Sequence, residues 1–230
     1  MMKDRQGIGT LGEKTLHAVI KNYFEPDTSM HEIMVGSFVA DIVSDAVIIE
    51  IQTRSFNRLR KKLEEFLKIS TVTVVYPLPK TKWLLWINSE TGEVTKKRKS
   101  PKRGCIQDSI PELYKIKMFL NHPKFRLLIV LINLEEYRYL NGWSEDKKKG
   151  STRHNRVPVE IAEVIEFNTT ADYIRFIPAE VKRQFTTRDY SAAAKVNLHM
   201  SQTTLNILHF LGVIRRVGKQ GNLHVYERNK

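Results

Sequence analysis

Hydrophobic and polar positions along the chain switch between a helical and a strand period, and the switches mark its elements. Residues 11–24, LGEKTLHAVIKNYF, place Leu16, Val19, Ile20, Tyr23 and Phe24 at helical spacing, and Pro26 ends the predicted helix. Residues 38–53, FVADIVSDAVIIEIQT, alternate instead, as two strand arms around a turn at Ser44-Asp45. A second amphipathic helix is predicted over 58–68, where Leu59, Leu63, Phe66 and Leu67 form one stripe and Arg58, Arg60, Lys61 and Lys62 the solvated side. The β-branched run at 71–78 reads as a buried strand. KWLLWIN, SETG and EVTKKRK then read as a hairpin turning at Ser89 to Gly92. Ser109 and Pro111 open a predicted helix over 110–120, and FRLLIVLINLEEYRYL is a long strand. Residues 141–158 are polar and basic without apolar periodicity, so they read as a linker or exposed loop; Trp143 and His154 within them are candidate stacking residues.

Two acids interrupt the apolar hairpin. Asp41 sits between Val39 and Val43, and the period of two puts Glu50 beside Gln52 on one face of the second arm. Carboxylates on paired apolar strands have no packing role, whereas a hard cation such as Mg²⁺ takes one or two of them and completes its shell with water and phosphate.

This arrangement resembles the PD-(D/E)XK nuclease superfamily, in which an Asp and an acid-X-Lys triplet on adjacent strands hold the metal. Asp41 matches the Asp and Glu50 the second acid. Gln52 stands where Lys is usual, as in some restriction endonucleases of the superfamily, and Ala40 replaces the Pro. Glu13, on the inward stripe of the preceding helix, matches a further acid found in many members; the helix dipole would also favour an acid in that first turn. Helix, hairpin, helix and strand over residues 11–78 follow the αβββαβ order, with the hairpin supplying two of its three leading strands. The resemblance implies Asp41 and Glu50 as ligands of Mg²⁺ or Mn²⁺, with the Ile51 carbonyl as a further ligand. It implies that Gln52 orients the attacking water and that Glu13 assists. Arg54 becomes a candidate phosphate contact.

The last fifty residues carry a second pattern. Residues 178–185 and 187–196 read as two helices, the latter capped at Thr186-Thr187, and Ser201 caps a third that ends at Gly212. Two strands around Gly218-Lys219-Gln220-Gly221 follow. The order resembles a winged helix-turn-helix, whose third helix enters the major groove while the wing lies along the backbone. Carried over, Ser201, Gln202, Thr203, Thr204 and Asn206 would face the groove, and Arg215, Arg216, Lys219 and Gln220 would be wing contacts. Winged helices also serve as protein–protein modules.

Charge agrees with a polyanionic partner. The 230 residues carry a net charge of +13, and from residue 178 onwards nine Lys/Arg face three acids. Lys96, Lys97 and Arg98 begin the densest basic stretch, readable as a phosphate track or as a charged, soluble hairpin arm. No apolar run approaches the ~20 residues of a membrane helix. The N-terminus lacks the apolar core of a signal peptide, and the single Cys105 can form neither an internal disulfide nor a zinc site, so a cytoplasmic protein is expected. Neither a nucleotide-binding Gly-rich loop nor zinc spacing nor a serine-nucleophile motif occurs.

The expected fold is therefore α/β: a restriction-endonuclease-like αβββαβ core at 1–140, a basic connecting segment at 141–177, and a winged-helix domain at 178–230. The expected function is metal-dependent DNA endonuclease, with DNA as partner and without a nucleotide cofactor. A homodimer is implied if one site per chain is to cut both strands. The alternative is a catalytically inactive nuclease-fold protein that binds DNA or serves as an assembly module, because Gln52 brings no positive charge to the site.

Overall fold

A computed structural model of the chain describes residues 11–44, 47–143 and 149–229, with side chains over 15–44, 47–140 and 151–229. The side chains of Glu13 and Trp143, and the Asp45 end of the predicted hairpin turn, lie outside the described residues. Helix α1 (Leu11–Phe24) leads to strands β1 (His31–Val35), β2 (Phe38–Ser44) and β3 (Val47–Ile51). Helix α2 (Arg60–Ile69) then crosses over to β4 (Thr71–Ile87). The short β5 (Arg98–Lys99) and α3 (Ile110–Lys115) precede two long strands, β6 (Phe125–Trp143) and β7 (Lys149–Phe167). The chain ends with β8 (Gln184–Thr186), α4 (Thr187–Ala194), α5 (Leu198–Phe210), β9 (Ile214–Gln220) and β10 (Leu223–Arg228).

One mixed sheet in the order β1-β2-β3-β4-β6-β7, with β5 also paired to β4, organises the chain, making the protein a mixed α/β structure. The β3–β4 and β4–β6 pairs are parallel and joined by helical crossovers; the remaining pairs are antiparallel. Both faces of the central strands are covered, which is why LLIVLI is continuously apolar. Along β6, Leu127, Ile129 and Leu131 enter the core beneath α2 and α3. Val130, Ile132 and Leu134 pack with Leu16 and Ile20 of α1. Val19 and Tyr23, assigned by spacing to the buried stripe of α1, are 42% and 55% exposed.

Several expected elements differ. Residues 149–158 are not a linker. They form the outer half of β7, which pairs with β6 from Leu127↔Phe167 to Trp143↔Lys149. Its backbone is satisfied by β6 without an apolar face, and Pro158 is tolerated because β7 is an edge strand. Residues 178–185 are not a helix either: the last of them enter β8, where Phe185 pairs with Tyr226 and is buried. Helix α5 begins three residues before Ser201, capped by Asn197, whose side chain accepts the Met200 N–H at 2.8 Å. The apolar core is continuous from Leu63 and Leu127 through Phe167 and Tyr173 to Tyr190, Leu205 and Tyr226. The C-terminal elements are thus packed onto the sheet rather than tethered to it. Among the described residues, no helix is long and apolar enough to cross a membrane.

Candidate active site

The β2–β3 ladder runs from Ser44↔Val47 to Ile42↔Ile49 and then opens. Backbone amides past that point need acceptors, and two carboxylates supply them. The Ile51 N–H donates to Asp41 Oδ2 at 2.8 Å, and the Asp41 N–H reaches Glu50 Oε1 at 3.4 Å. His17 of α1 places Nε2 3.2 Å from Asp41 Oδ2. From α2, Lys62 Nζ donates to both Glu50 oxygens, at 2.9 and 3.1 Å. Glu50 is buried at 2% exposure.

These groups sit on the floor and wall of a cleft of about 700 Å³ between α1 and the segment following β3. Gln52 lines it, with its amide donating to the Arg54 carbonyl. Across the cleft, Lys21 pairs with Glu32 at 2.9 Å. Glu32 and Ser55, both in the lining, hold φ of +54° and +58°. A left-handed conformation at a non-glycine residue costs on the order of 1 kcal/mol, and such strain concentrates at functional sites.

The two acids titrate in opposite directions. Burial opposes the ionisation of Asp41, but the His17 hydrogen bond and charge and the Ile51 N–H outweigh it and hold the carboxyl below its ordinary range. Burial and then the Asp41 charge push Glu50 up to about 7, against the pull of Lys62. Because this folded value lies above that of the unfolded chain, Glu50 favours folding fully at pH below ~4.5, and the advantage is lost as pH rises through about 7. The difference is worth roughly 3 kcal/mol. In metal-free buffer the melting temperature is therefore expected to fall by several degrees from pH 5 to pH 8, at roughly 2–4 °C per kcal/mol. The fall should flatten in Glu50→Gln and on adding Mg²⁺. A wild-type profile no steeper than that of Glu50→Gln would refute this account of the carboxylate pair.

Asp41 and Glu50 are the oxygen donors a hard cation could use: two neighbouring carboxylates gain from a dication between them, and Mg²⁺ needs few protein oxygens. Among the described residues, no three His, Cys, Asp or Glu side chains gather into a metal cage, so water and phosphate would complete the shell.

The structure brings Asp41, Glu50, Ile51 and Gln52 into one cleft and adds His17 and Lys62, which the sequence pattern does not single out. Spacing puts Lys62 on the solvated side of α2, yet it directly precedes Leu63, borders the apolar stripe and reaches Glu50 on β3. His17 neighbours the buried Leu16 and follows Glu13 by one helical turn.

Of the expected DNA contacts, Arg54 is exposed and lines the cleft. Lys96 and Arg98 are exposed, whereas Lys97 is held by Glu135 at 2.6 Å and stands 4.5 Å over the Trp83 ring. Ser201 and Thr204 do not face outward. Both are fully buried, and their hydroxyls donate to the Asn197 and Met200 carbonyls one turn back. The outer face of α5 carries Gln202 and Asn206, with Thr203 half-buried; Asn206 accepts from Lys117 at 2.9 Å. Arg215 pairs with Glu227 at 3.2 Å, while Arg216, Lys219 and Gln220 are exposed on β9.

The chain belongs to the family described as "Domain of unknown function (DUF8091)", which matches residues 14–168. That span contains the whole acid cleft from His17 to Lys62, and it runs through β7. A relative from Treponema pallidum (strain Nichols), described as "Uncharacterized protein", is 30% identical over 167 residues, which is 72% of this chain. The match covers 64% of that relative's length. No solved structure matches the chain.

Proposed function

We propose that the protein is a metal-dependent DNA endonuclease with a restriction-endonuclease-like core. The observation that carries this reading is the convergence of Asp41, Glu50 and Lys62 on the floor of one open cleft, with Lys62 Nζ 2.9 Å from Glu50. Lys62 brings to the site the positive charge that Gln52 lacks, from a helix instead of the strand. Asp41 and Glu50 would hold Mg²⁺ or Mn²⁺, with the Ile51 carbonyl as an additional ligand. When bound, the metal would polarise the phosphoryl oxygen and lower the pKa of a water. His17 and the Ile51 amide keep Asp41 ionised and fixed. Lys62 offsets the charge that develops on the phosphate, and Arg54 and Arg58 at the cleft edge hold the flanking backbone. The C-terminal unit, read as a winged helix-turn-helix, would bind duplex through Gln202, Thr203 and Asn206 of α5 and through Arg216 and Lys219 of β9. A dimer would serve double-strand cleavage.

The test is nicking of supercoiled plasmid in Mg²⁺, Mn²⁺ or EDTA. Cleavage is expected with either metal and not in EDTA. Lys62→Met should slow it by roughly 10²–10³-fold, as for loss of one preorganised electrostatic contact. A second reading, a nuclease-fold protein that binds DNA without cutting it, is favoured by the two-oxygen grip of Lys62 on Glu50. Intact DNA binding with no nicking under either metal would select it.

A further inference from the structure

Beyond the cleft, where β4, β6 and β7 run past the core, one buried carboxylate faces four cations. Glu136 is 0% exposed and lies within 4 Å of Lys82 (3.4 Å), Arg138 (2.5 Å), Arg153 (3.7 Å) and Arg156 (3.1 Å). The strand register builds the cluster, since Glu136 stands opposite Arg156 on β7 and beside Leu84 on β4. All four cations keep part of their surface in solvent, so one negative charge holds together a group with a large positive excess. Lys82 and Arg156 also open into a pocket of about 280 Å³ whose wall includes Lys102 and Asp108, paired with each other at 2.9 Å. The wall is close-packed: Gly104 lies so close to Pro79 that a Cβ there would meet the Pro79 carbonyl oxygen at 1.9 Å. Burial and then the Arg156 charge lower the Arg153 pKa, and Arg54 of the cleft lining adds to them.

We infer that the pocket bounded by Lys82, Lys102 and Arg156 is a second phosphate site, which takes a backbone phosphate of the polynucleotide whose scissile group lies in the cleft. Glu136 is its positioning residue: it fixes the cations at short range without neutralising them. A phosphate bound there receives charge-assisted hydrogen bonds from groups already held in place. The inference rests on the nucleic-acid reading of the cleft and extends the footprint from the β3 end along the long strands. It also gives the outer half of β7, polar in sequence and inside the family-matched span, something to do.

The test is duplex binding by fluorescence anisotropy in EDTA, as a function of salt, on the full chain. Each phosphate contact contributes about 0.9 to the slope of log K against log salt. The Lys82→Gln/Arg156→Gln double variant is expected to bind about tenfold more weakly, with a slope shallower by about two. Lys102→Gln, at an exposed position that gives up only a surface pair with Asp108, should lower the slope by about one. Lys68→Gln, which removes an equal charge elsewhere, should leave the slope unchanged. If the double variant melts early, Lys102→Gln alone decides. Unchanged slopes in the pocket variants, with wild-type binding intact, would overturn the site and leave the nuclease reading standing. No duplex binding by the wild type would overturn that reading itself. A melting shift with inorganic phosphate that vanishes in the double variant, without loss of duplex affinity, would assign the pocket to free phosphate and overturn the backbone assignment.

Discussion

Asp41→Asn and Glu50→Gln are each expected to reduce metal-dependent nicking by at least about 10³-fold, the equivalent of about 4 kcal/mol of transition-state stabilisation. Neither should unfold the protein. Asn keeps an oxygen to accept the Ile51 N–H, now 2.8 Å from Asp41 Oδ2, so the opened end of the β2–β3 ladder stays closed by a side chain. Glu50→Gln removes a buried carboxylate that resists ionisation up to about pH 7, and it releases Lys62, 25% exposed, to solvent. That variant should therefore melt higher than wild type at pH 8 while losing activity. Activity lost with stability gained marks a residue kept for chemistry rather than packing. The measurement pairs single-turnover nicking with thermal melts at pH 8. Equal nicking by wild type and both variants would remove the acids from the mechanism.

The sequence makes some of this site plain and hides the rest, for physical reasons. Strand alternation is a local signal, and it is enough to put Asp41 and Glu50 side by side in an apolar hairpin. The role of Lys62 is decided by how α2 docks on β3, which no local period encodes. Beside Lys61, at the border of the stripe that Leu63 belongs to, it reads as one more solvated lysine. The outer half of β7 is invisible for a related reason: its hydrogen bonds come from β6, so the strand forms with Arg153, Asn155 and Arg156 and needs no apolar alternation. In α5 the polarity of Ser201 and Thr204 pointed outward, but a hydroxyl that bonds the carbonyl one turn back can be buried at little cost. The expected helix at 178–185 failed because Phe185 finds its partner in Tyr226, some forty residues later.

Glu136→Gln is expected to be the most destabilising single change outside the apolar core, costing about 3–5 kcal/mol and on the order of 10 °C in melting temperature. The carboxylate lies fully out of solvent, and its burial penalty is overcome by Arg156, Lys82 and Arg138, which hold its pKa down to about 2. Glutamine keeps the shape and some hydrogen bonds but leaves the cations facing one another without a counter-charge. Because the folded pKa lies below that of the unfolded chain, the contribution is full above about pH 4.5 and disappears as pH falls through about 2. Urea unfolding should therefore show a large gap between wild type and variant at pH 7 that narrows at pH 3. A gap of less than about 1 kcal/mol at pH 7 would mean that the cluster is solvated like an ordinary surface ion pair. Binding reports the positioning role separately from stability. In the cold, where Glu136→Gln is still folded, it should bind duplex more weakly than wild type, because Lys82 and Arg156 are no longer held at the pocket. Unchanged duplex affinity in the cold, with the stability lost, would leave the carboxylate a stabilising group alone.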